Sequence, residues 1–164
     1  MVVLLIIAIL LAVAIPTYLA ARNRAENRAA QVTLQHVLVS AKAAYASQND
    51  FNTYPGGHTT LSGYLNADGP GSKVVSGTTV FSTVGVVGVE SGAQKILMGD
   101  WAPDGKCFYL LDIESPASLA IAQLSLLGPG TYYKEGSSSG GCSAYHNSTA
   151  EAWQTSWAAA ATHY

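Results

Sequence analysis

Residues 1–21 read MVVLLIIAILLAVAIPTYLAA, and Arg22 follows them. No polar side chain occurs from Met1 to Ile15. Coiled as a helix, 21 residues span roughly 32 Å, about one bilayer hydrocarbon core. The apolar content is carried by Val2, Val3, Leu4, Leu5, Ile6, Ile7, Ile9, Leu10, Leu11, Val13 and Ile15. At about −0.3 to −0.6 kcal/mol for each such side chain, moving them into lipid gains roughly 3–7 kcal/mol. A helix that is apolar on every face needs lipid or other apolar helices around it, and a head of ordinary size cannot supply that cover.

The rest of the chain is organised around this stem. Of 164 residues, 49% are hydrophobic and only 11% charged, less than half the usual charged share of about 25%. That composition excludes a highly charged disordered chain. The formal net charge of −2 argues against direct nucleic-acid binding. The charge is divided unevenly. In residues 16–48, Arg22, Arg24, Arg28 and Lys42 face only Glu26, a balance of +3, whereas residues 49–164 carry four lysines against nine carboxylates, a balance of −5. All 16 glycines lie between Gly56 and Gly141. The expected organisation is therefore residues 1–48 as apolar stem and amphipathic helix, and residues 49–164 as a globular β-rich head.

Three readings of the stem compete: a cleaved secretory signal, with Ala12-Val13-Ala14 as the small residues at the cut; a plain membrane anchor; and a stem that leaves the membrane to pack against copies of itself. A secretory signal opens with a basic region, and no basic residue precedes the apolar run. Pro16 removes the N–H that the Ala12 carbonyl needs, yet the chain beyond it has neither Gly nor Pro for 38 residues and is rich in Ala, Arg, Gln and Leu, all good helix formers. One long helix with a weak point at Ala12 to Pro16 is predicted. In its second half, Leu34, Val37, Leu38, Ala41, Ala44 and Tyr45 recur every three or four residues and mark the face that packs on the head. His36 and Lys42 fall off that face and are expected in solvent.

Met1 to Pro16, followed by Thr17-Tyr18 and a long Ala-rich helix, resembles the N-terminal segment of type IV pilins and type II secretion pseudopilins. The likeness is specific over residues 1–28. In that family the mature chain begins with a short segment upstream of the match to Met1, so Met1 is read as an internal residue. The resemblance implies an α+β fold, a long N-terminal helix packed on an antiparallel β-sheet head. It also implies a structural subunit, with no enzymatic activity and no cofactor. Such a subunit is held in the inner membrane and then assembled as a helical filament of identical copies outside the cell. The partners implied are an assembly ATPase, a platform protein and a prepilin peptidase. The basic residues Arg22, Arg24 and Arg28 alone would keep the head in the cytoplasm, whereas the resemblance places it outside. Ala8 stands where family members often carry Gly, so unwinding in the assembled fibre is expected to be short and confined to Ala12–Pro16. Arg22, Arg24 and Arg28 are read as a solvated face, or as partners for acidic heads of adjacent copies.

In the head, Gly77–Glu90, Gln94–Met98 and Lys106–Glu114 read as strands of an antiparallel meander, Thr131–Lys134 as a further one, and Leu61–Leu65 as a helical turn. From Ser115-Pro116 to Gly128 the segment reads as a helix, with a strand through Leu119, Ile121, Leu124 and Leu126 as the alternative. Cys107 and Cys142 are the only cysteines, and in an exported chain two imply one disulfide. Ser148 with Glu151 forms a capping box, after which Trp153 and Trp157 are expected on one helical face. The pattern Gly136-Ser137-Ser138-Ser139-Gly140 matches G-x-S-x-G, but it sits in a Ser-rich loop, not at a strand-to-helix elbow. Ser137, Ser138, Ser139 and Asn147 are candidate glycan sites. Asp100, Asp104, Asp112 and Glu114 could assist a calcium site of the pseudopilin kind, but are read as ordinary surface carboxylates; no metal is expected. The alternatives to a major pilin are a pseudopilin of a periplasmic fibre and a membrane-anchored binding or enzymatic domain.

Overall fold

A computed structural model describes residues 1–52, 55–69, 71–115, 127–138, 140–144 and 153–161. Tyr54, the Ser148–Glu151 capping box, most of the helix expected before Gly128, and the glycan candidates Ser139 and Asn147 lie outside the described residues.

Helix α1, Val2–Gln48, runs for 47 residues without a break, about 70 Å at 1.5 Å per residue. Pro16 lies inside it. Just beyond, the Thr17 hydroxyl donates to the carbonyls of Ala14 at 2.9 Å and Val13 at 3.2 Å, which keeps the turn around the proline polar-satisfied. The helix stops at Asn49, whose left-handed backbone (φ 55°) lets its N–H return to the Tyr45 carbonyl. Asparagine tolerates that conformation better than other side chains except glycine.

A single 3-10 turn, Pro55–Gly57, leads to α2, Leu61–Asp68, which is capped by the Thr60 hydroxyl accepting from the Gly63 N–H. Five strands follow in spatial as well as chain order: β1 Lys73–Ser76, β2 Val86–Gly92, β3 Lys95–Trp101, β4 Lys106–Ile113 and β5 Gly130–Ser137. Strands β2 to β5 form the expected antiparallel meander, while β1 pairs with β2 in parallel. A one-turn helix, α3 Trp157–Ala160, packs on β5. The chain is thus α+β, a long helix on a mostly antiparallel sheet.

Alternation along the strands sorts the core into two layers. Ile96, Met98, Phe108 and Leu110 face α1 and bury Ala30, Leu34, Val37 and Ala41. This is the helix face read from the sequence, with Leu38 and Tyr45 half-buried at its margin. Leu97, Cys107, Tyr109, Leu111 and Ile113 face away and are covered by Phe81, Cys142, Ala144 and Trp153. Because both faces are covered, β4 is a nearly continuous apolar run and does not alternate with polar residues.

Two expectations are corrected. Gly77–Gly85 is not strand: only Val86 onward enters the sheet, and the Thr-rich half loops over the outer face to form a bridge between Phe81 and Cys142. The Phe81 ring fills a slot left by the paired Gly88 and Gly99; a Cβ on Gly88 would lie 2.3 Å from it. Trp153 and Trp157 do not share a helical face. Trp153 precedes α3 and packs on the outer layer, and Trp157 packs on the inner one, stacked against Phe108 and Tyr133. Between them Gln154 pairs with Tyr133 at the outer edge of β5. The opposite edge is closed by a side chain: the Asn66 amide donates to the Val74 carbonyl at 2.7 Å and accepts from the Val74 N–H at 2.8 Å.

Candidate functional surface

The stem and neck form the surface that calls for a function. Every one of the eleven stem side chains from Val2 to Ile15 is 47–71% exposed. This is a helix long and apolar enough to cross a membrane, with none of its most apolar window buried.

The exposed apolar surface does not end with the stem. At about 100° per residue, Tyr18, Ala21, Ala25, Ala29, Val32, His36, Val39 and Ala43 fall within about 40° of one line. All eight are exposed, Val39 to 68%. This line lies about 140° around the helix from the buried Ala30–Ala44 face. Seven of its eight residues are Ala, Val or Tyr. The sequence carried the signal as recurrent small residues, but it is weak on a hydropathy scale, and the stronger core-facing periodicity hides it. Arg22 and Arg28 border the stripe; Arg22 is paired with Glu26 at 2.9 Å on its own helix.

Polar clamps hold the neck on the sheet and fix which face points outward. Near its start, the Asn27 amide donates to Asp104 at 2.9 Å. Near its end, Tyr45 donates to Gln94, which donates in turn to the Asn49 carbonyl at 3.0 Å. Between them Lys42 lies 3.1 Å from both Asp112 and Glu114. The solvent position expected for Lys42 is therefore corrected: its long stem reaches around the helix, and the ammonium sits on the sheet. Burial pulls the Lys42 pKa down, but the two carboxylates outweigh it and hold the group above its ordinary value. For Asp112, 1% exposed, burial dominates and raises the pKa despite the Thr131 hydroxyl and Lys42. Lys42→Ala leaves that carboxylate buried without its cation. The variant is expected to lose about 2–3 kcal/mol by chemical denaturation, below the range for a fully buried pair because the ammonium is partly hydrated. A loss under 0.5 kcal/mol would show that the clamp is ornamental.

The other site candidates separate. Asp100 and Asp112 are 0% and 1% exposed, so they are not surface carboxylates: both lie on the sheet face that α1 covers. Among the described residues, no three His, Cys, Asp or Glu side chains converge as metal ligands. Asp104 binds Asn27, and Asp112 and Glu114 converge on Lys42. Ser137 is exposed at the end of β5 and Ser138 half-buried just beyond it, its N–H bonded to the Gly105 carbonyl at 2.8 Å. Cys107 and Cys142 are joined in a disulfide, with Cα atoms 5.7 Å apart. No protein-family model matches the chain, and no curated protein or solved structure matches it.

Proposed function

We propose that this protein is the structural subunit of a helical filament of the type IV pilus kind. Val2, Val3, Leu4, Leu5, Ile6, Ile7, Ile9, Leu10, Leu11, Val13 and Ile15 hold it in the inner membrane and then pack against the stems of other copies in the fibre core, outside the cell. Lipid and a core of stems are both apolar, so the exchange is nearly neutral, and close packing of small residues tips it toward the fibre. The observation that carries this reading is the exposed stripe from Tyr18 to Ala43. A simple anchor needs apolar surface only within the bilayer, whereas this surface continues along the neck beside the head. The basic neck (+3) and acidic head (−5) of one chain also suit staggered copies of itself. Lipid before assembly, a motor, a platform protein and a maturation peptidase complete the machinery by resemblance.

Electron microscopy of material sheared from cells, with antibody against the head, tests the reading. Long labelled filaments on the cell surface are expected. Short periplasmic fibres point instead to a secretion pseudopilin. A detergent-soluble monomer with no fibres points to an anchored domain and rejects the proposal.

A further inference from the structure

Among the described residues, Asp100 is a buried carboxylate that, unlike Asp112, has no ion pair. Its side chain is 0% exposed and lies on the sheet face that α1 covers. One carboxyl oxygen accepts the Trp101 N–H at 2.8 Å, and the Gly85 N–H also bonds the group. The other oxygen, Oδ2, is buried with no partner. A buried ionised carboxylate with an unmet oxygen is among the costliest arrangements a core can hold.

The groups packed around this layer do not supply a compensating cation. Strand β2 presents Val87 and Val89, and β4 places Phe108 directly across from Asp100. The ionisable groups on the same face are Lys106 and Asp112 of β4 and Glu135 of β5; Lys106 is bonded to Glu135. From α1 the facing groups are Glu26, paired with Arg22; Asn27, bonded to Asp104; and Lys42, held by Asp112 and Glu114. The Asn27 Oδ1 on this side is itself a buried acceptor without a donor. A proton on Asp100 removes the uncompensated charge from this buried layer.

We propose that Asp100 is carried as a neutral carboxylic acid in the folded head and acts as a proton-operated latch on the seal between the stem helix and the sheet. Protonation favours the closed seal, and ionisation weakens it. Burial, outweighing the two backbone N–H groups, pushes the Asp100 pKa up to about 7, which agrees with this placement. The sign follows from proton linkage. An unfolded Asp loses its proton near pH 4, while the folded head keeps it until about pH 7. Stability is therefore greatest in mild acid, falls as the pH rises between these two values, and levels off above the upper one.

The test uses the full chain in detergent. From pH 5 to pH 7 the unfolding equilibrium constant of the wild type is expected to rise about fiftyfold on account of this one proton. Asp100→Asn, which keeps the accepting oxygen and cannot ionise, is expected to remove that rise. Asp112→Asn, measured alongside, sets the share of the second raised carboxyl. Infrared spectroscopy reads the proton directly: a protonated-carboxyl band is expected in the wild type at pH 6 and lost in Asp100→Asn. An unchanged pH slope in Asp100→Asn, or a band whose intensity the substitution leaves unchanged, overturns the proposal. If Asp100→Asn does not fold, the wild-type band alone decides: its absence at pH 6 overturns the latch, and its loss as the pH passes through 7 supports it.

Discussion

Val39→Asp is expected to abolish filaments while leaving the protein folded and inserted in the membrane. Val39 is 68% exposed on the outward face of α1, so the isolated subunit gains only a solvated carboxylate there, and surface changes of this kind shift stability by about 0.5 kcal/mol or less. In the proposed fibre the same position would be buried against a neighbour in every subunit. An unpaired charge in such a contact costs several kcal/mol, and the penalty recurs at each addition. Filament yield is expected to fall at least a hundredfold by quantitative immunoblot of the sheared fraction, with the membrane-bound pool rising to match. Thr33→Asp, on the flank of the helix where the hydroxyl bonds the Ala29 carbonyl, serves as a charge control with a smaller effect. If Val39→Asp cells carry normal filaments, the stripe plays no part in assembly.

Removal of the disulfide has the largest expected effect on the head. Cys107 is buried in the outer layer near the start of β4, and Cys142 holds the segment that bridges Phe81. A loop of this length, a sequence separation of 35, corresponds to about 4 kcal/mol of chain entropy removed from the unfolded state. Cys107→Ser/Cys142→Ser is expected to lower the denaturation free energy by about 4 kcal/mol. The loss is expected to concentrate in faster hydrogen exchange at Phe81 and Cys142, whose N–H groups bond each other's carbonyls at 2.9 and 2.8 Å. The α1-facing layer, which the bridge does not touch, is expected to keep its protection in the native state. A loss below 1 kcal/mol would show that Phe81 and its glycine slot hold the outer layer unaided.

The legible parts of this fold are those with local causes. The 47-residue helix follows from an uninterrupted run of helix formers, and its buried face from the spacing of Leu34, Val37 and Ala41. Strands β3, β4 and β5 were visible as dense apolar or aromatic runs between turn residues. What stayed hidden depends on distant partners. Strand β1 is four residues long and acquires its partner only after the Gly77–Gly85 loop; Lys73-Val74-Val75-Ser76 alone carries too little pattern to be read. The Val- and Thr-rich Gly77–Gly85 has strand composition, yet Phe81 is needed to fill a slot elsewhere, and that need is invisible locally. Trp153 and Trp157 have helical spacing, but a bridge at Gln154 sends them to opposite faces of the sheet. Asp100 and Asp112 look like ordinary hydrophilic positions because burial is decided by α1, some 70 residues earlier. On the candidate surface, the stem was evident at once, while the outward stripe needed the helix docked before its exposure had meaning.

The two closed borders of the sheet bear on how such a molecule behaves when crowded. Asn66 occupies the hydrogen-bonding groups of Val74 on one side, and Gln154 occupies those of Tyr133 on the other. Subunits stored side by side in a membrane, as proposed, would meet at high local concentration, a setting in which open strands zip together into amyloid-like ladders. With one position capped on each margin, sideways accretion through the β-structure is hindered, and in the proposed filament attraction between copies is left to the helix. For the proposed filament, this arrangement would favour growth in one dimension without clumping in the other two.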